Sequence, residues 1–115
     1  MNNREFGNKG EDLACEYLLK NGYKILERNK HYSRYCEIDI IAKFKNKIVF
    51  VEVKTRRTNA FGSPLEAITK SKYNHLKSGM LYYLQEHKVR DYQIDVIGIT
   101  LEPVLDIQHL KNISF

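Results

Sequence analysis

The chain has 115 residues, 43% hydrophobic and 29% charged, with a net charge of +5, which fits one soluble domain spanning 1–115 around one modest core. No run approaches the ~20 apolar residues of a membrane span, the opening MNNREFGNKGED lacks the apolar stretch of a secretory signal, and Cys15 and Cys36 have neither zinc-site nor CxxC spacing. The expectation is a cytoplasmic protein with reduced thiols and no membrane role, whose positive charge suits a polyanion such as DNA or RNA.

The spacing predicts a first helix over about Asn3 to Asn21, with Phe6, Gly10, Leu13, Ala14, Tyr17 and Leu18 on one face. Asn21-Gly22 is a helix stop. A short strand is predicted over Tyr23 to Glu27, then a polar loop from Arg28 to Tyr35. Cys36 to Lys43 and Lys47 to Lys54 read as a hairpin turning at Lys45-Asn46, the second strand rich in β-branched residues. A basic loop, Thr55 to Gly62, leads to a second helix predicted to start at Ser63-Pro64-Leu65-Glu66, a capping box with proline at the first helical position. Its apolar stripe runs from Ile68 through Tyr73, Leu76, Met80, Tyr83 and Leu84 to about Glu86, with a break possible within Lys70 to Lys77. Strands over Tyr92 to Leu101 and Leu105 to Leu110 complete an α/β fold with a mixed sheet flanked by helices.

The chemical signal lies in the hairpin. Side chains alternate faces along a strand, so Ile48, Phe50, Glu52 and Lys54 share one face, and Glu37 and Asp39 share a face with Ile41. A symmetric turn around Lys45-Asn46 sets Asp39 opposite Glu52 and Glu37 opposite Lys54. Directly opposed residues have Cβ atoms ~4.5–5.5 Å apart, and like charges so placed destabilise a sheet. The pair needs solvent, a shared proton, or a compensating cation. Lys54 supplies one charge. A divalent ion would supply more, and hard oxygen ligands select magnesium or manganese. On the residues alone, a metal site and a Lys-Glu-Asp ion-pair cluster without metal are equally good readings. Glu11 borders the buried face of the first helix and could reach the same sheet. The alternative for it is a half-exposed edge residue.

Asp39, a hairpin and then Glu52-Val53-Lys54 resemble the PD-(D/E)xK nuclease motif, and the αβββαβ order agrees with the restriction-endonuclease-like core. More closely, the chain resembles the YraN-like family of small predicted endonucleases. The resemblance runs from about Gly7 to Ile97 through GNKGEDLACEYLLKNGY, EIDIIA, IVFVEVKTR, FGSPLEAI and IDVI. Its specific part is the ordered set Gly10-Glu11, Glu37-Ile38-Asp39, Phe50 to Arg56, and Phe61-Gly62. Cys36 stands where the family usually has glycine, and Gln93, two before Asp95, where it tends to have arginine.

The resemblance implies a Mg²⁺- or Mn²⁺-dependent nuclease, similar in fold to archaeal Holliday-junction resolvases. Asp39 and Glu52 would ligate the metal, with the Val53 carbonyl as a further ligand and Glu11 completing or orienting the site. Lys54 would act on the attacking water or the developing charge. Glu37 is expected as an ion-pair partner for Lys54. Nucleic-acid contacts are expected from Arg28, Lys30, Tyr32, Arg34 and Tyr35, which interleave cations with aromatics, and from Arg56 and Arg57 beside the site. A solvated loop is the competing reading for both stretches. His31 is an incidental loop histidine, and Tyr82-Tyr83 is helix packing. A DNA- or RNA-binding module without turnover and a structural ion-pair protein are the alternatives. DNA against RNA, branched against linear substrate, and monomer against homodimer remain open.

Overall fold

The computed structural model describes residues 2–114 except Tyr35 and Phe61, and leaves the side chains of Pro64 and Leu65 undescribed. Its elements are α1 (Asn3–Lys20), β1 (Lys24–Ser33), β2 (Cys36–Phe44), β3 (Lys47–Arg56), a 3-10 turn (Pro64–Ala67), α2 (Lys70–Glu86), β4 (Tyr92–Thr100) and β5 (Asp106–Leu110). The sheet has five strands in the order β1-β2-β3-β4-β5. Only β3 and β4 run parallel, joined by the crossover through α2. This is the αβββαβ core of the restriction-endonuclease-like fold, with β5 added at one edge. Among the described residues, no helix is long and apolar enough to cross a membrane.

The two faces of the sheet carry separate cores. Ala14, Cys15 and Leu18 of α1 pack on Ile40, Ala42, Val49, Val51, Ile97 and Ile99. Tyr73, Leu76, Met80 and Tyr83 of α2 pack on Ile38, Ile41, Phe50 and Ile94. The alternation Val49-Phe50-Val51 therefore feeds both cores from one strand, and Glu52 and Lys54 continue the α2 side.

Two predicted boundaries are corrected. Arg28 to Ser33 is not a loop but the second half of β1, paired to β2 as Arg28↔Ile40, Lys30↔Ile38 and His31↔Glu37. Irregularities between Ile25 and Glu27 and between His31 and Ser33, together with a φ of 52° at Asn29, break the alternation that would have marked a strand. The second helix starts at Lys70 and not at Ser63. The Ser63 signal closes only the 3-10 turn, where the Glu66 N–H donates to the Ser63 carbonyl at 3.2 Å. Thr69 is the true cap, accepting from the Lys72 N–H at 3.1 Å.

Both departures from the family pattern have a physical account. Cys36 opens β2 in extended backbone and is not among the residues at positive φ, so no glycine is required there. Asp95 is fully buried in β4. Gln93 Nε2 donates to its Oδ1 at 2.8 Å, where the family's arginine would place a charge. The Asn112 N–H and His109 Nε2 complete the coordination of that carboxylate at 2.9 and 2.7 Å, and His109 Nδ1 lies 3.0 Å from the Tyr17 hydroxyl. The buried acid thus ties β5 and α1 to β4 through a satisfied network.

Candidate metal and nucleic-acid site

The hairpin turns at Lys45-Asn46 as expected, Lys45 taking a φ of 56°. Its register runs Phe44↔Lys47, Ile41↔Phe50 and Ile40↔Val51. There the ladder stops. β2 continues on β1 as far as Ser33↔Cys36, while β3 continues on β4 as far as Arg56↔Thr100. The two strands part, each held by its outer neighbour, and the next residues in register at the mouth of the opening are Asp39 and Glu52.

Asp39 is held by backbone. The Val53 N–H, freed from the β2 ladder, donates to Asp39 Oδ2 at 2.9 Å. Burial first, and then the charge of Glu52, push the Asp39 carboxyl well above the usual carboxylate range. Burial also raises Glu52, against the hydrogen bond from Asp39 and the positive charge of Lys72. Both acids keep part of their surface exposed, and their closeness favours a proton shared at the pair over two full charges when no cation is present.

Glu11 approaches from α1. Its Oε1 is buried without a hydrogen-bond partner, and Arg28 Nη2 stands 3.7 Å away, beyond hydrogen-bond reach. Burial, then Asp39, raise its pKa. A divalent cation suits this donor set, since it would relieve two mutually repelling acids and the orphaned oxygen of a third. The three are not, however, gathered into a ready cage. Among the described residues no group of three or more carboxylate, histidine or thiol side chains is placed to hold an ion. Asp39 and Glu52 line one cavity, and Glu11 acts on both through its charge without lining that cavity.

The approach of α1 is set by Gly10. A Cβ there would overlap Thr55 Oγ1 and lie 2.8 Å from Thr55 Cβ. Gly10→Ala is therefore expected to push α1 off β3, carrying Glu11 away, at an overpacking cost of about 1–3 kcal/mol. Urea unfolding measures this through the midpoint. An unchanged midpoint would mean that the helix approach is not rigidly fixed by this contact.

The remaining expected residues are distributed differently. Lys54 is half-buried on β3, one alternation beyond Glu52 and in register with Gly98. Glu37 does not stand opposite Lys54, because the strands have parted. It faces His31, with His31 Nε2 3.4 Å from Glu37 Oε2. Arg28 donates to Asp12 at 2.8 Å. Lys30 lies 3.6 Å from Glu27 and over the Tyr32 ring, which stacks on Tyr82 with centroids 5.4 Å apart. These three residues are engaged within the protein. Tyr83 is core, while Tyr82 is half-exposed. Arg34 lines the cavity in front of Asp39 and Glu52. Arg56 ends β3 half-buried and Arg57 is exposed just beyond it. Tyr35 and Phe61 lie outside the described residues.

That cavity, about 210 Å³, is lined by Glu37, Asp39 and Glu52 from the strands, Arg34 from the β1–β2 turn, and Lys72, His75 and Leu76 from α2. Sequence reasoning missed Lys72 and His75. The only signal available was their spacing beside Leu76 on a helix whose start was misplaced.

Comparison with known proteins assigns the chain to a family. The family model described as "Uncharacterised protein family UPF0102" matches residues 10–99. A UPF0102 protein of Caldicellulosiruptor saccharolyticus is 50% identical over 117 aligned positions, covering 97% of this chain and 98% of the relative. One from Syntrophomonas wolfei is 49% identical over 113, covering 96% and 97%. One from Fusobacterium nucleatum is 47% identical over 94, covering 82% and 78%. The chain belongs to the uncharacterised protein family UPF0102, the YraN-like family whose motifs its sequence carries.

Proposed function

We propose that this protein is a metal-dependent nuclease that hydrolyses phosphodiester bonds in DNA or RNA, branched or junction DNA among the candidate substrates. The observation that carries the reading is the parting of β2 from β3 at Asp39 and Glu52. It leaves two half-buried, mutually repelling acids lining a cavity, with Lys54 following on the same strand face. A fold stabilised by ladder pairing has no use for such a pair, whereas a divalent cation does.

Asp39 and Glu52 would hold magnesium or manganese, with the Val53 carbonyl and Glu11 as further contributors. When bound, the ion supplies a nucleophilic water and neutralises phosphate charge. The Val53 N–H fixes the Asp39 carboxylate before any ion arrives, so the ligand is pre-oriented. Lys54 would stabilise the charge that develops on the phosphate oxygens as water adds to phosphorus and the bond to the leaving sugar oxygen breaks. Arg56 and Arg57, continuing from β3, would meet neighbouring phosphates.

The test is cleavage of a panel of linear, flapped and four-way-junction substrates, DNA and RNA, with magnesium or manganese. Wild type is expected to cut at least one of them, and Glu52→Ala none. A second reading is a nucleic-acid-binding module of the same fold without turnover, for which the cations Arg34 and Lys72 lining the cavity would suffice. Tight binding without cleavage under either metal would replace the first reading with the second.

A further inference from the structure

The cavity in front of Asp39 and Glu52 is two-sided in charge. Its floor, from β2 and β3, is acidic. Its opposite wall, from α2, presents Lys72 and His75, with Arg34 entering from the β1–β2 turn. An acidic floor alone asks for a cation. A basic wall facing it asks for an anion next to that cation, and a phosphate beside a metal ion satisfies both.

The wall is built, not incidental. Thr69 caps α2 and fixes its first turn. Leu76 is buried in the α2-side core, and Lys72 and His75 lie four and one residues before it, on the same helix edge. Gly79 brings the helix down onto β2, since a Cβ there would lie 3.0 Å from Ile38 Cγ1. Lys72 is near enough to Glu52 for its charge to favour the ionised carboxylate, although it makes no ion pair within 4 Å among those recorded between described residues. A lysine placed over an acid without closing on it leaves ammonium protons for another acceptor.

We propose that Lys72 and His75 form a phosphate-binding wall that receives a backbone phosphate of the nucleic acid opposite the Asp39-Glu52 pair. The inference rests on the nuclease reading for the identity of the anion, a nucleic-acid phosphate, but not on turnover. It makes α2 part of the substrate site, and it orients the strand so that one phosphate lies between helix and sheet. Lys77 provides an internal comparison. It carries the same charge on the same helix but lines a different hollow, with Tyr92 and Gln93.

The experiment measures binding of a fluorescent single-stranded oligonucleotide and its duplex across a salt series, with a chelator present so that no cleavage occurs. Lys72→Gln is expected to weaken binding about tenfold and to lower the slope of log affinity against log salt by ~1. His75→Asn should weaken it in the same direction, Lys72→Arg should restore most of the affinity, and Lys77→Gln should change little. Circular dichroism of each variant checks that α2 is intact. Equal losses for Lys72→Gln and Lys77→Gln would reduce the wall to a diffuse surface field and overturn the proposal. So would an unchanged Lys72→Gln, or a wild type that binds neither oligonucleotide. Absence of cleavage in a separate assay with magnesium or manganese would overturn the nuclease reading while leaving the binding result standing.

Discussion

Replacing Lys54 with alanine is expected to lower the rate of phosphodiester cleavage by ~10²–10³ while leaving most of the affinity for nucleic acid in place. Lys54 shares the α2-side face of β3 with Phe50 and Glu52 and is half-buried at the cavity side of the sheet. As one charge beside two acids, it adds little to a phosphate field that also draws on Arg34, Arg56, Arg57 and the cations of α2. Its effect arises only when negative charge builds on the scissile phosphate, and an interaction made only in the transition state changes rate without changing ground-state affinity. Single-turnover rates on a substrate that wild type cuts, alongside affinities measured in chelator, separate the two quantities. Lys54→Arg keeps the charge in a different geometry and should fall between. Wild-type cleavage by Lys54→Ala would make Asp39, Glu52 and Lys54 a structural ion-pair cluster and move any nuclease activity elsewhere.

What could be read from sequence was what is local. The Lys45-Asn46 turn is short, so it fixed the hairpin register, and with it the placing of Asp39 next to Glu52. The parting of the strands depends on β4, which reaches β3 only after the α2 crossover, and no local pattern announces a parallel partner. The expected Glu37–Lys54 pairing failed for the same reason, since the hairpin ends before reaching it. β1 was hidden because its second half alternates poorly and carries a bend at Asn29. The start of α2 was misread because Ser63-Pro64-Leu65-Glu66 serves a 3-10 turn as well as it would serve a helix. The stripe of Tyr73, Leu76, Met80 and Tyr83 fixed the phase of the helix, but nothing local shows that the edge carrying Lys72 and His75 faces the carboxylates. Asp95 gave no warning either. Of the groups that make its burial tolerable, Gln93 is close in sequence, but His109 and the Asn112 N–H lie on and beyond β5, and Tyr17 on α1 reaches it only through His109.

Thermal unfolding should expose the Asp39-Glu52 pair without any substrate. Burial and the neighbouring Glu52 raise the folded-state pKa of Asp39 well above its ordinary value. An acid with a raised folded pKa binds more protons folded than unfolded, so stability falls as pH climbs through that window. The fall begins near pH ~4, the ordinary aspartate value, continues to the folded pKa of the pair, and persists above it. Metal-free wild type is therefore expected to have a lower Tm at neutral pH than in the mildly acidic range, as far as this pair is concerned. Asp39→Asn removes the charge yet keeps an amide oxygen that can accept from the Val53 N–H, so it should raise the metal-free Tm at neutral pH and flatten this part of the profile. A divalent ion that binds only the folded state at about one hundred times its Kd adds about 2.7 kcal/mol, which for a chain of this size is a Tm gain of roughly 10 °C. Magnesium or manganese should produce that gain in wild type and not in Asp39→Asn. An equal gain in both proteins would place the ion elsewhere. A variant less stable than wild type at neutral pH without metal would show that Asp39 is held by the fold more strongly than it is repelled by Glu52, removing the physical reason for a cation at this position.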